Sequence, residues 1–126
     1  MKLLISMKLL AGSLVACGLA SSLVIAAPPA SATVLGCPTS NVCVYEHARR
    51  GGSSQVINGY NGYTDLSRSL HDRASSWTNA NVRASEGIGQ WRRGRQFIGQ
   101  TLPPGWYEDN LKSVRFNDMA DFVEQV

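Results

Sequence analysis

Of the 126 residues, the first 32 hold two lysines, no acid and no aromatic residue, and the remaining 94 carry all ten aromatics and all nine Asp plus Glu. A chain of this length makes one small domain, which excludes a TIM barrel, a two-domain dehydrogenase or a kinase. The last 94 residues set ten Lys plus Arg against nine acids, a net charge of +1, so the pI near 9.0 is partly a leader effect and nothing calls for a nucleic-acid partner.

Lys2 and Lys8 precede an uncharged stretch over residues 9–27, and Pro28-Pro29-Ala30-Ser31-Ala32 follows it. This order predicts a signal peptide over residues 1–32, cut after Ala32, and a secreted domain over residues 33–126 with no further hold on a membrane. Two other readings stand beside it. The stretch is near the length of a bilayer span and so suits an uncleaved anchor. Leu14-Val15-Ala16-Cys17-Gly18 resembles a lipobox, although the apolar run continues well past Cys17.

With Cys17 in the leader, Cys37 and Cys43 remain, and an even pair in an exported domain predicts a disulfide. A structural zinc site is the rival reading. Two cysteines supply half a tetrahedral shell, and His47 and His71 lack zinc-finger spacing.

Along the domain, strand-like runs at 42–45, 54–57, 75–77, 87–91, 96–102 and 113–116 alternate with glycine and asparagine punctuation, and no amphipathic helical repeat appears. An all-β domain is expected. Asn58-Gly59 and Asn61-Gly62 supply tight turns, Pro103-Pro104-Gly105 a loop, and residues 118–126 either a last strand or a frayed tail. Trp77 and Trp91 fall inside strands and are expected in the core.

The two halves carry a weak repeat. Tyr45 is followed by Gly52 and then Asp72-Arg73-Ala74-Ser75-Ser76, while Trp91 is followed by Phe97, Gly99 and then Asp109-Asn110-Leu111-Lys112-Ser113-Val114. Each half reads as four strands, the content of a Greek key, and two Greek keys make one sandwich.

The Cys-Pro-x4-Cys-Val-Tyr-Glu opening at 37–46, Gly51-Gly52 and His71-Asp72-Arg73-Ala74-Ser75-Ser76 resemble the secreted bacterial peptidase-inhibitor family typified by actinobacterial metalloproteinase inhibitors. The resemblance covers about residues 36–116 and implies a βγ-crystallin-like sandwich of two Greek keys. It departs at Arg50, which stands where such motifs have a second aromatic, and at 91–99, which holds one residue too many.

In βγ-crystallins, Asn/Asp and Ser/Thr-Ser corners place oxygens around calcium, and each corner donates to the other's site. Here Asp72, Ser75 and Ser76 form one such corner and Asp109, Asn110 and Ser113 the other, but His71 and Val114 replace expected oxygen-bearing residues. Weak or vestigial calcium binding is the expectation, with backbone-bonding turns as its structural counterpart and no cofactor required. No Gly-x-Ser-x-Gly elbow or HExxH helix appears, the acids form no recognisable catalytic pair, and a disulfide would consume both thiols of the domain, so an enzyme is not expected. Tyr60, Tyr63, Trp106 and Tyr107 are candidates for partner-binding loops, with packing over the sandwich ends as the alternative. Arg92-Arg93-Gly94-Arg95 reads as a solvated turn.

The resemblance implies a non-enzymatic, secreted inhibitor of an extracellular protease, a metalloprotease in particular, acting as a monomer. A calcium-binding or structural envelope protein and a secreted antimicrobial domain are the competing functions.

Overall fold

A computed structural model describes residues 2–3 and 33–126. The cleavage point after Ala32 borders this range, and Cys17 with the rest of the apolar leader stretch lies outside the described residues.

The described chain is all-β, with two short 3-10 turns at Ala48–Arg50 and Leu111–Val114. Short strands β1 (Lys2–Leu3), β2 (Thr33–Val34) and β3 (Cys37–Pro38) precede the first Greek key. That key comprises β4 (Asn41–His47), β5 (Gly51–Asn58), β6 (Tyr63–Asp65) and β7 (Ser76–Asn79). The second comprises β8 (Glu86–Arg92), β9 (Arg95–Leu102), β10 (Trp106–Glu108) and β11 (Phe122–Gln125), so residues 118–126 do include a last strand.

The two keys exchange their third strands. One sheet runs β1-β10-β7-β4-β5 and the other β6-β11-β8-β9, so β6 and β10 each pair with the last strand of the opposite half. Neither sheet is complete with one half's residues, which ties the two keys into one cooperative unit.

Strand alternation builds the core. Val42 and Val44 in β4 and Trp77 in β7 face Ile88, Leu102 and Val123 of the other sheet, and Leu66, Leu70, Leu111 and Phe116 close the ends. Cys43 points to the opposite face of β4, where it bonds Cys37, with their Cα atoms 5.9 Å apart. Val34 and Ala80 bury this disulfide, and the β2–β3 hairpin thereby covers the outside of the first sheet. Across the core, Trp77 Nε1 donates to Gln100 Oε1 and Gln100 Nε2 donates to Glu108 Oε1, each at 2.8 Å, satisfying polar groups that burial would otherwise penalise.

Three expectations need correction. Residues 113–116 are not a strand. Asn110 Oδ1 accepts the Lys112 N–H at 3.0 Å and starts the 3-10 turn Leu111–Val114, which left-handed Arg115 ends at φ 56°. Trp91 is not core but 45% exposed. It shares the outer face of β8 with Gly87 and Gly89, and Phe122 of β11 lies on that same face opposite Gly89. Tyr63, Trp91 and Phe122 stack there, with centroids of Tyr63 and Phe122 5.1 Å apart and of Trp91 and Phe122 5.8 Å apart. Trp106 and Tyr107 belong to strand β10 rather than a loop, and Trp106 packs against the core.

The extra residue in 91–99 is accommodated as a bulge. Gly89 opposes Ile98 while Ile88 opposes Gln100, which leaves Gly99 unopposed.

Candidate functional site

One end of the sandwich is formed by residues 58–62, between β5 and β6, and 80–85, between β7 and β8. Two buried asparagines shape it. Asn79 Nδ2 donates to the carbonyls of Leu102 (2.9 Å) and Ala84 (3.1 Å), and Asn79 Oδ1 accepts the Asn81 N–H at 2.9 Å. Asn81 Nδ2 donates to the Gly59 carbonyl (3.2 Å) and to Glu86 Oε2 (2.9 Å), and Asn81 Oδ1 accepts the Arg83 N–H at 2.9 Å. Gly59 N–H in turn donates to the Ser40 carbonyl at 2.8 Å. Local Asx turns and cross-loop bonds therefore hold both segments in one shape. Burial pushes the Glu86 carboxyl above its usual range, and the Asn81 amide opposes that rise.

On this frame, Tyr60 is 61% exposed and Val82 50%. The Arg83 guanidinium lies 5.3 Å from the Tyr60 ring centroid. The result is a firm end that presents an aromatic, an aliphatic and a cation to solvent, the mixture that concentrates binding energy at interfaces. Tyr60 was legible in the sequence. Val82 and Arg83 were not, although Asn79 and Asn81, each able to bond its own backbone two residues on, are the signal that marks a rigid turn between them.

The other expected docking residues are scattered. Tyr63 donates through its hydroxyl to Asp65 Oδ1 at 2.6 Å and accepts from Trp91 Nε1 at 2.8 Å, which places it in the outer-face aromatic cluster. Tyr107 is half-buried in β10 with the Arg50 guanidinium 5.6 Å from its ring centroid. The Arg92–Arg95 segment forms the exposed β8–β9 turn, where the Arg92 guanidinium lies 4.2 Å from the Phe97 ring centroid.

The two corners are also rearranged. Leu66 N–H donates to the Asp121 carbonyl and Asp72 N–H to that of Ala120, while Leu111 N–H donates to the Ser75 carbonyl and Asp118 N–H to that of Ala74. The partner of the 71–76 corner across the pseudo-twofold is therefore 117–122, not the expected Asp109, Asn110 and Ser113. Asp72 and Asp118 both take left-handed backbone, φ 60° and 59°, which confirms the correspondence. Asn110 and Ser113 instead serve the 3-10 turn, Ser113 Oγ donating to the Asn110 carbonyl at 2.8 Å. Asp109 Oδ1 accepts from Arg50 Nη1 at 2.6 Å.

These donors do not fit calcium, which takes six to eight oxygens. Around Ser76, its Oγ donates to the His47 carbonyl and accepts the Arg50 N–H, and the nearby Asp109 carboxylate is taken by a guanidinium. At the other corner an imidazole stands among the carboxylates: His71 Nε2 is 2.9 Å from Asp121 Oδ1 and Nδ1 is 3.2 Å from Asp72 Oδ2.

Among the described residues no helix is long and apolar enough to cross a membrane. The model of peptidase inhibitor family I36 matches residues 30–85, a span that includes the disulfide, the 71–76 corner and the whole Tyr60–Arg83 end. No curated protein matches the chain. Among solved structures, one on the evolution of the eye lens βγ-crystallin domain fold superposes with a TM-score of 0.56 at 16% identity, covering 72% of this chain and 90% of that one. A βγ-crystallin from an archaeon superposes with a TM-score of 0.54 at 19% identity, covering 70% of this chain and 99% of that one. The family match supports a peptidase-inhibitor role, which is a binding function and not an enzymatic one. The protein has the βγ-crystallin fold, and its residues 30–85 carry the match to peptidase inhibitor family I36.

Proposed function

We propose that the protein is a secreted, monomeric inhibitor of an extracellular metalloprotease, released after removal of residues 1–32, and that the Tyr60–Val82–Arg83 end enters the protease cleft. The observation that carries this reading is the family match over residues 30–85, the stretch that holds this end. Inhibition needs no reacting side chain. A segment already fixed by the Asn79 and Asn81 bonds loses little freedom on docking, so more of its contact energy is expressed as affinity. Tyr60 and Val82 supply apolar area, and Arg83 supplies a charge for an acidic rim.

The test is titration of thermolysin-like and subtilisin-like proteases with the protein. Reversible inhibition of the metalloprotease is expected, weakened by about tenfold or more in Tyr60→Ala and in Arg83→Ala, equivalent to roughly 1.4 kcal/mol. Both side chains are exposed, so the variants should keep the parent's unfolding midpoint. Parent-like inhibition by both would refute the docking end, and inhibition of neither protease would refute the metalloprotease reading.

A further inference from the structure

The corner at His71 differs from a calcium corner in its chemistry as well as in its missing oxygens. Asp121 is 8% exposed, and one of its carboxylate oxygens, Oδ2, accepts the Trp91 N–H at 2.7 Å. The other, Oδ1, is fully buried, and no group meets it with the geometry of a hydrogen bond. It faces His71 Nε2 at 2.9 Å, and one ligand atom from each of His71, Asp72 and Asp121 falls within 4.8 Å of the others. A buried carboxylate oxygen met only by a poorly aligned imidazole nitrogen is incompletely satisfied, and a cation shared between the two completes it.

We propose that His71, Asp72 and Asp121 form a binding site for one divalent cation of the zinc class. Imidazole nitrogen favours zinc, cobalt or nickel, whereas calcium prefers oxygen alone. Nε2 and Asp121 Oδ1 are the ligating pair. Asp72, whose Oδ2 lies 3.2 Å from Nδ1 of the same ring, supplies the third ligand through one carboxylate oxygen. The backbone holds these donors from both halves: Asp121 N–H donates to the Gly89 carbonyl at 2.7 Å, and Asp72 N–H donates to the Ala120 carbonyl at 2.8 Å. His71 and Asp72 are exposed while Asp121 is not, which leaves the solvent side open for the ion to arrive. A bound ion would pin the 66–74 connection of the first key to the start of β11 in the second.

The test is calorimetric titration and thermal denaturation of the full chain carrying Cys17→Ser, which removes a competing thiol, with zinc chloride and separately with calcium chloride. Zinc is expected to bind once per chain with a dissociation constant on the order of micromolar and to raise the midpoint, with calcium weaker by about a hundredfold. His71→Asn and Asp121→Asn should each weaken zinc by about tenfold or more, and His47→Ala should leave it unchanged. His71 is half exposed, so its variant reports binding even if Asp121→Asn proves unstable. Absence of zinc binding at millimolar concentration, unchanged zinc affinity in His71→Asn, or calcium binding tighter than zinc would each overturn the site.

Discussion

The ring of Phe116 fills the space that a side chain at Gly99 would need. A Cβ there would overlap Cγ, Cδ1 and Cε1 of the ring, so the bulge in β9 is also the seat of a core aromatic. Gly99→Ala is expected to destabilise the fold by about 1–3 kcal/mol through overpacking. The check is the urea midpoint at unchanged slope. In the Gly99→Ala background, Phe116→Leu should cost less than it does in the parent, because the smaller side chain relieves the overlap.

Opening the Cys37–Cys43 bond frees a loop of sequence separation 6 and uncovers the outer face of β4. The double substitution Cys37→Ser with Cys43→Ser should lower stability by about 2 kcal/mol on the chain-entropy estimate. Calorimetry should then place the unfolding midpoint lower by roughly 10 °C.

Glu86 is almost fully buried, and desolvation raises its folded-state pKa above the unfolded value. A raised carboxyl pKa means that the folded state binds more protons. This contribution to stability is complete below the unfolded pKa and is lost as pH rises through the folded one. Asp121 is shifted in the same direction by burial. Glu86→Gln should therefore flatten the fall in stability on the alkaline side of the ordinary carboxylate range, leaving the part that belongs to Asp121. Denaturation midpoints measured across that window test the sign.

Arg50 pairs with Asp109 at 2.6 Å while lying near the Tyr107 ring. Both charged side chains remain about a quarter exposed, so solvent screens the pair. A double-mutant cycle with Arg50→Met and Asp109→Asn should give a coupling of about 0.5–1 kcal/mol that shrinks in high salt.

Most of the local chemistry was legible. The strand runs around Val42–Tyr45 and Gln96–Leu102, the burial of Trp77, the Cys37–Cys43 pair and the turns at Asn58-Gly59 and Arg93-Gly94 follow from side-chain alternation, cysteine parity and turn residues, all of which act over a few positions. The 3-10 turn at Leu111–Val114 was misread because serine, valine and phenylalanine suggest a strand, while the Asn110 cap outweighs that propensity.

The candidate sites depend on contacts far apart in the chain. The equivalence of Asp72 with Asp118 emerges only when β6 and β10 cross to the opposite sheets, because the spacing of the two corners from their preceding strands differs and Asp109-Asn110 offers a closer verbal match. The exposure of Trp91 follows from which face of β8 lies over Phe122, and the approach of Tyr60 to Arg83 from Asn81 reaching the Gly59 carbonyl. The sequence by itself determined the class of fold, its punctuation and its covalent clamp, since those rest on short-range patterns. Only the tertiary structure decided which side chains meet at His71 and at Tyr60, since those meetings depend on a strand exchange between halves that no local pattern records.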